Sequence, residues 1–168
     1  YISRKLSELS TNDGWRISMN DEGFNPSTAL YMPDFIEYIT STAPDKVKKM
    51  QDAFKTNWES NLRMSLVKSL ETSGTVLTLR DGFQMAGYQT IDCSGHFPDD
   101  PRIAKASILY EKNILRVMHQ VHYQTSGNKS LDLVFFINGI PVATAEIKTE
   151  LTQTVRDAIE EYQTQRKP

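Results

Sequence analysis

A chain of 168 residues, 39% hydrophobic and 24% charged, can bury one real core and has an ordinary globular composition. Its net charge of −2 excludes a surface coated in basic residues for nucleic acid, and its one cysteine, Cys93, excludes a disulfide framework or a cysteine-based zinc cluster. No apolar run approaches the length of a membrane span and no signal-peptide pattern opens the chain, so a reducing cytoplasm is the expected compartment.

Residues 1–10 carry a helical pattern (Ile2, Leu6, Leu9) closed by Asn12-Asp13-Gly14. With no initiator Met and a helical pattern at each end, the sequence reads as a fragment of a larger chain. Residues 15–33 are loop-rich, with Asn20, Gly23, Asn25 and Pro26. A short helix is expected over 34–40, where Asp34 follows Pro33 as a plausible cap, and another over 45–54 after Pro44. Asn57 can cap a third helix, whose stripe of Trp58, Leu62, Leu66 and Leu70 packs a core and stops near Gly74. Between residues 45 and 80, Lys46, Lys48, Lys49, Lys55, Arg63, Lys68 and Arg80 outnumber the acids; a solvated helix face is the first reading, a phosphate-contacting face the alternative.

Thr75-Val-Leu-Thr-Leu79 has the composition of a strand, and Pro98-Asp-Asp-Pro101 that of a turn. A helix is expected over 102–112, with Ile103, Ala106 and Tyr110 on one side, then an alternating strand over 115–124. Two apolar runs, 131–137 and 140–148, flank Asn138-Gly139, a strong hairpin signal. A last helix is expected over 151–166, with Val155, Ala158, Ile159 and Tyr162 on one face. The order gives an α/β class: helix, mixed three- to four-stranded sheet with a hairpin, helix. Residues 1–74 form a mainly helical N-terminal portion and 75–168 carry the hairpin.

The hairpin places Asp132, Glu146 and Lys148 among Val, Ile and Phe. Charges in such surroundings call for partners or a metal. Two hard carboxylates suit Mg²⁺ with waters retained, the carbonyl of Ile147 can add a ligand, and Lys148 can orient or deprotonate the attacking water: the parts of metal-assisted phosphodiester hydrolysis. A salt bridge of Lys148 with Glu146 or Glu150 is the plain alternative. Register decides between them. A regular two-residue loop pairs 137 with 140 and hence 132 with 145, sending the carboxylates to opposite faces; a three-residue loop, or a bulge in either strand, restores a shared face. The metal reading therefore requires a hairpin that departs from the simplest form.

The run Ser130-Leu-Asp-Leu-Val-Phe-Phe-Ile-Asn-Gly-Ile-Pro-Val-Ala-Thr-Ala-Glu-Ile-Lys148, followed by Thr152-Gln-Thr-Val-Arg-Asp-Ala-Ile-Glu-Glu-Tyr162 and Arg166, resembles the N-terminal nuclease region of type I restriction enzyme R subunits. Upstream, Leu79-Arg-Asp-Gly-Phe83, Tyr110-Glu-Lys-Asn113, Val117-Met-His-Gln-Val-His-Tyr123 and Asp13-Gly-Trp15 extend the likeness, which is specific from about 115 to 166. The resemblance implies a restriction-endonuclease-like core of the PD-(D/E)xK type, with Asp132, Glu146 and Lys148 as the catalytic triad and Mg²⁺ as cofactor. It further implies cleavage of double-stranded DNA alongside methyltransferase and specificity subunits. Where relatives carry Gln-x-x-x-Tyr, this chain has Ala158 before Tyr162, with Gln153 further upstream; Tyr162 reads first as core packing. Glu8 is the one acid in the first helical segment and the candidate for the first-helix ligand of related nucleases. ATP enters only through a motor whose G-x-x-x-x-G-K-[ST] loop this sequence lacks. The alternatives are a repair-type nuclease with the same triad, and a non-cutting module that docks DNA or partner subunits. His96, His119 and His122 make no zinc spacing and read as packing or surface residues.

Overall fold

The computed structural model describes residues 14–85, 90–97, 100, 104–147, 159–160 and 163–164. A short strand, β1 (Arg16–Ser18), precedes three helices, α1 (Met32–Thr42), α2 (Pro44–Phe54) and α3 (Trp58–Asp81). Helix α4 (Ala104–Glu111) then leads into β2 (Leu115–His122), β3 (Ser130–Ile137) and β4 (Ile140–Ala145). The strands form one mixed sheet in the order β1-β2-β3-β4, with β1 parallel to β2 and the other pairs antiparallel. The class is mixed α/β, compatible with a restriction-endonuclease-like fold. Its first strand comes from the stretch expected to be loop.

Helix α1 starts at a Pro in its first turn, where a missing N–H costs nothing. It buries Phe35, Tyr38 and Ile39 against Val47 and Met50 of α2 and Leu62 and Leu66 of α3, so the expected Trp58–Leu66 stripe does face a core. The strand-like composition of 75–79 does not give a strand: those residues continue α3 beyond Gly74, whose φ of 80° and ψ of 168° kink the helix. Glycine alone takes that conformation freely. Beyond the kink Thr78 is fully buried and its hydroxyl meets that of Ser69 at 3.0 Å, so packing against the first half of the helix overrides β-type composition.

The central strands alternate between two faces. Met118, Val134 and Phe136 pack with Phe24 and Tyr31, while Val117 and Leu133 pack with Trp15, Ile17 and Phe135. At the turn end, Ile114 and Ile140 enter the helical core itself. The hairpin turn is buried there, unlike most loops. The N–H of Tyr31 donates to the Gly139 carbonyl (2.9 Å), and that of Asn138 to the Ile114 carbonyl (2.8 Å). The Asn138 side chain accepts from the Ile114 N–H (2.7 Å) and donates to the carbonyl of Cys93 (2.9 Å) and to Oδ1 of Asn113 (3.0 Å).

One charged network fastens β1 to the sheet. Arg16 and Arg116 are cross-strand partners, a like-charge pairing that by itself is unfavourable. Asp34 of α1, 2% exposed, takes Arg116 in a bidentate pair (2.6 and 2.8 Å) and Arg16 at 3.3 Å. Glu37, one turn on, holds Arg16 through two bonds of 2.7 Å. Arg116 also donates to the Ser18 hydroxyl (2.7 Å) and stacks over the Tyr31 ring at 4.5 Å.

Candidate metal and catalytic site

Asn138 and Gly139 both have positive φ, 49° and 75°, the signature of a type I′ two-residue turn, and Ile137 pairs with Ile140 as that turn demands. The ladder then shifts. Phe136 pairs with Pro141 but Phe135 with Ala143, leaving Val142 as an extra residue in β4. Edge position makes both Pro141 and the bulge tolerable, because no further strand needs their N–H groups. Beyond the bulge Val134 pairs with Thr144 and Leu133 with Ala145, so the next step sets Asp132 opposite Glu146. The departure that the metal reading required is present, as a bulge and not a longer loop.

Asp132 lies on the sheet's partly exposed end. Its Oδ2 accepts the backbone N–H of Ile147 at 2.8 Å and its Oδ1 the side-chain amide of Gln120 at 3.1 Å. Each oxygen keeps further lone-pair capacity, since a carboxylate offers about four acceptor sites. Oε2 of Glu146 is buried. Ile147 is 37% exposed and its backbone N–H meets Asp132, which brings this residue, the expected carbonyl donor, beside one of the two carboxylates. Two carboxylates at opposed register positions, with a main-chain carbonyl, would make the oxygen-only donor set that Mg²⁺ takes while keeping several waters. Among the described residues no group of three or more His, Cys, Asp or Glu gathers into a denser metal cluster. Lys148, Gln153, Tyr162 and Glu8 fall outside the described residues. Of the apolar face expected on the last helix, only Ile159 is described, and it is 53% exposed.

Gln120 went unnoticed in the sequence. It carries an uncharged side chain in a strand pattern, and nothing local marks its φ of 53°. The buried Asp34–Arg116 pair was equally hidden, its partners lying 82 positions apart.

A cavity of about 720 Å³ lies elsewhere, lined by Val76, Leu79, Arg80, His96, Phe97 and Tyr110 among others, with Leu115 and Ile137 also on its wall. Ile137 is five residues along β3 from Asp132, about 17 Å at ~3.3 Å per residue. Several of the cavity's polar groups are engaged by one another: Ser94 with the Leu79 carbonyl, His96 with the Arg80 carbonyl and Asn113 with Gly95.

The family model for the type I restriction enzyme R protein N terminus matches residues 4–168. The chain belongs to that family. No curated protein and no solved structure matches the chain. Membership in the R protein N-terminal family gives the chain a role in a type I restriction system, whose complex acts on DNA. Two of the upstream segments that resemble R subunits, 79–83 and 110–113, meet the 94–96 stretch near the turn end of the hairpin. Asn113 accepts from the Gly95 N–H (2.9 Å) and donates to its carbonyl (2.7 Å), while Leu79 and Arg80 accept from Ser94 (2.9 Å) and contact His96 (3.1 Å) through their carbonyls. In the basic stretch of this R-protein domain Lys48, Lys49, Lys55 and Lys68 are exposed, as either a solvated or a phosphate-contacting face requires, and Arg80 pairs with Asp81. No helix among the described residues is long and apolar enough to cross a membrane.

Proposed function

We propose that this region is the metal-dependent endonuclease of a type I restriction enzyme R subunit, hydrolysing phosphodiester bonds of double-stranded DNA. The observation that supports it is the Val142 bulge, which brings Asp132 opposite Glu146 in a hairpin whose turn alone would separate them. Asp132 and Glu146, with the carbonyl of Ile147, would hold Mg²⁺. When bound, the cation supplies Lewis-acid stabilisation of the charge that develops on the phosphate. Lys148 neutralises a phosphate oxygen or orients the attacking water and accepts its proton. The hydrogen bonds to Asp132 from Ile147 and Gln120 fix the direction in which its carboxylate points. ATP hydrolysis belongs to a motor elsewhere in such a subunit, and methyltransferase and specificity subunits are the expected partners, in the cytoplasm.

A non-cutting docking module is the second reading, favoured by the exposed Val76, Phe97 and Tyr110 around the cavity. Plasmid cleavage by the full-length subunit, assembled with its partners in ATP and Mg²⁺, separates the two. Asp132→Ala and Lys148→Ala abolish cleavage and retain ATP hydrolysis if the nuclease reading holds; undiminished cleavage in both rejects it. Calorimetric Mg²⁺ or Mn²⁺ binding that disappears in Glu146→Ala is the corresponding equilibrium test.

A further inference from the structure

The geometry points to Gln120 as the positioning residue of the metal-binding carboxylate Asp132. This rests on the reading of Asp132 and Glu146 as metal ligands. Three observations carry it.

The first is contact. Gln120 Nε2 donates to Asp132 Oδ1 at 3.1 Å across the β2–β3 pair, and the same amide is oriented from behind by Ser130, whose hydroxyl donates to Gln120 Oε1 at 3.0 Å. A bond to Oε1 fixes which end of the amide faces the carboxylate: the NH₂ group must point at Asp132.

The second is backbone conformation. Gln120 has φ 53°, a left-handed conformation that costs an L-residue roughly 1–2 kcal/mol and that Gly or Asn adopts more readily. Such outliers persist where the surroundings over-determine them, and they concentrate at functional sites. A glycine at 120 would satisfy the backbone better; a glutamine satisfies the carboxylate.

The third is sheet geometry. The ladder passes from His119–Leu133 to Val121–Leu131, with Gln120 and Asp132 facing each other between them. Met118 and Val121 pack in one cluster, as do Val134 and Leu131, although the members of each pair are three positions apart. Strict alternation would send them to opposite faces. The break falls at the Gln120–Asp132 step on both strands. It keeps the apolar neighbours buried while this one polar pair stays at the accessible end of the sheet.

Gln120 touches neither substrate nor metal in this scheme. It fixes one Asp132 oxygen while the Ile147 N–H fixes the other, so the carboxylate meets the cation without first surrendering rotamer freedom. Removing a hydrogen-bond partner of a metal ligand typically lowers metal affinity by about 10- to 100-fold.

The test titrates Mg²⁺ in the plasmid-cleavage assay of the assembled, full-length enzyme, with Gln120→Gly, Ser130→Ala and Asp132→Ala side by side. Gln120→Gly relieves the backbone, so its melting temperature stays at or above the wild type. Its half-saturating Mg²⁺ rises about 10-fold or more, and the rate at saturating Mg²⁺ changes less. Ser130→Ala, which leaves the backbone alone, shifts half-saturation in the same direction by a smaller factor. It adds no further shift in the Gln120→Gly background, because it acts through the amide. A wild-type Mg²⁺ dependence in both Gln120→Gly and Ser130→Ala, with Asp132→Ala inactive, overturns the role of Gln120 and leaves the nuclease reading standing. Full cleavage by Asp132→Ala overturns both.

Discussion

Asp132 accepts the backbone N–H of Ile147 at 2.8 Å, a contact across the hairpin that follows from one extra residue in β4. The extra residue is Val142, and the carboxylates pair because the bulge absorbs it, whatever its side chain. Inserting one alanine after Val142 forces either a larger bulge or a slip that sets Asp132 opposite Ala145, and should lower DNA cleavage by ~100-fold or more. Deleting Val142 leaves Ala143 opposite Phe135 and the carboxylates still paired, so cleavage is retained within about tenfold. Loss in the deletion together with retention in the insertion would show that the register argument is wrong.

Asp34 answers two arginines that the sheet places side by side. Asp34→Ala leaves Arg116, whose side chain is 12% exposed, without its carboxylate, and should destabilise the domain by ~3–5 kcal/mol. Asp34→Asn keeps one acceptor oxygen and should cost less. Replacing both partners, Asp34→Leu with Arg116→Met, should recover part of the loss, since no buried charge then lacks a counter-ion. Urea midpoints of the three variants check the order.

The buried turn leaves no room for a side chain at Gly139. A Cβ at Gly139 would lie 2.0 Å from the Tyr31 carbonyl oxygen at a φ of 75°, so Gly139→Ala must displace α1 or open the hairpin. A loss above ~2 kcal/mol is expected. Asn138→Ala strips the Ile114 N–H and the Cys93 carbonyl of their partners, at ~1–3 kcal/mol for each buried group left unpaired. Amide exchange at Ile114 should accelerate in that variant; unchanged protection there would contradict the assignment.

Acid should unfold this domain through carboxylates held by partners. The backbone N–H of His122, assisted by its ring, keeps Asp21 below the ordinary aspartate range, and the Arg16 guanidinium does the same for Glu37. A depressed folded-state pKa means that the contribution is complete above the unfolded pKa of about 4 and is lost as pH falls through the folded value. The urea midpoint contributed by these groups should hold between pH 7 and about pH 5 and drop below about pH 4. Asp21→Ala should reduce the part of that drop due to Asp21. A contribution from Asp21 that grows as pH falls below 4 would reverse the assigned sign.

What the sequence determined by itself is local. Pro33 and Pro44 lie in the first turns of two helices, though each helix begins before the residue expected, the Trp58–Leu66 stripe repeats at helical spacing, and Asn138-Gly139 between two apolar runs marks a hairpin, because each signal acts within a few residues of backbone. The carboxylates and lysine of the proposed site could be named from residue type and resemblance. Their capacity to act together could only be posed as a question of register.

Tertiary structure decided the rest. Whether 75–79 became strand or helix turned on Thr78 packing beside Ser69, which outweighed β-branched composition. Strand β1 exists because Arg116, a hundred positions beyond Arg16 (116 − 16), finds it across a parallel ladder and α1 supplies the acids for both. The Val142 bulge and the left-handed Gln120 belong to the same category. Each trades a regular ladder for the placement of one carboxylate, a balance between backbone strain and side-chain contact that residue spacing alone does not contain.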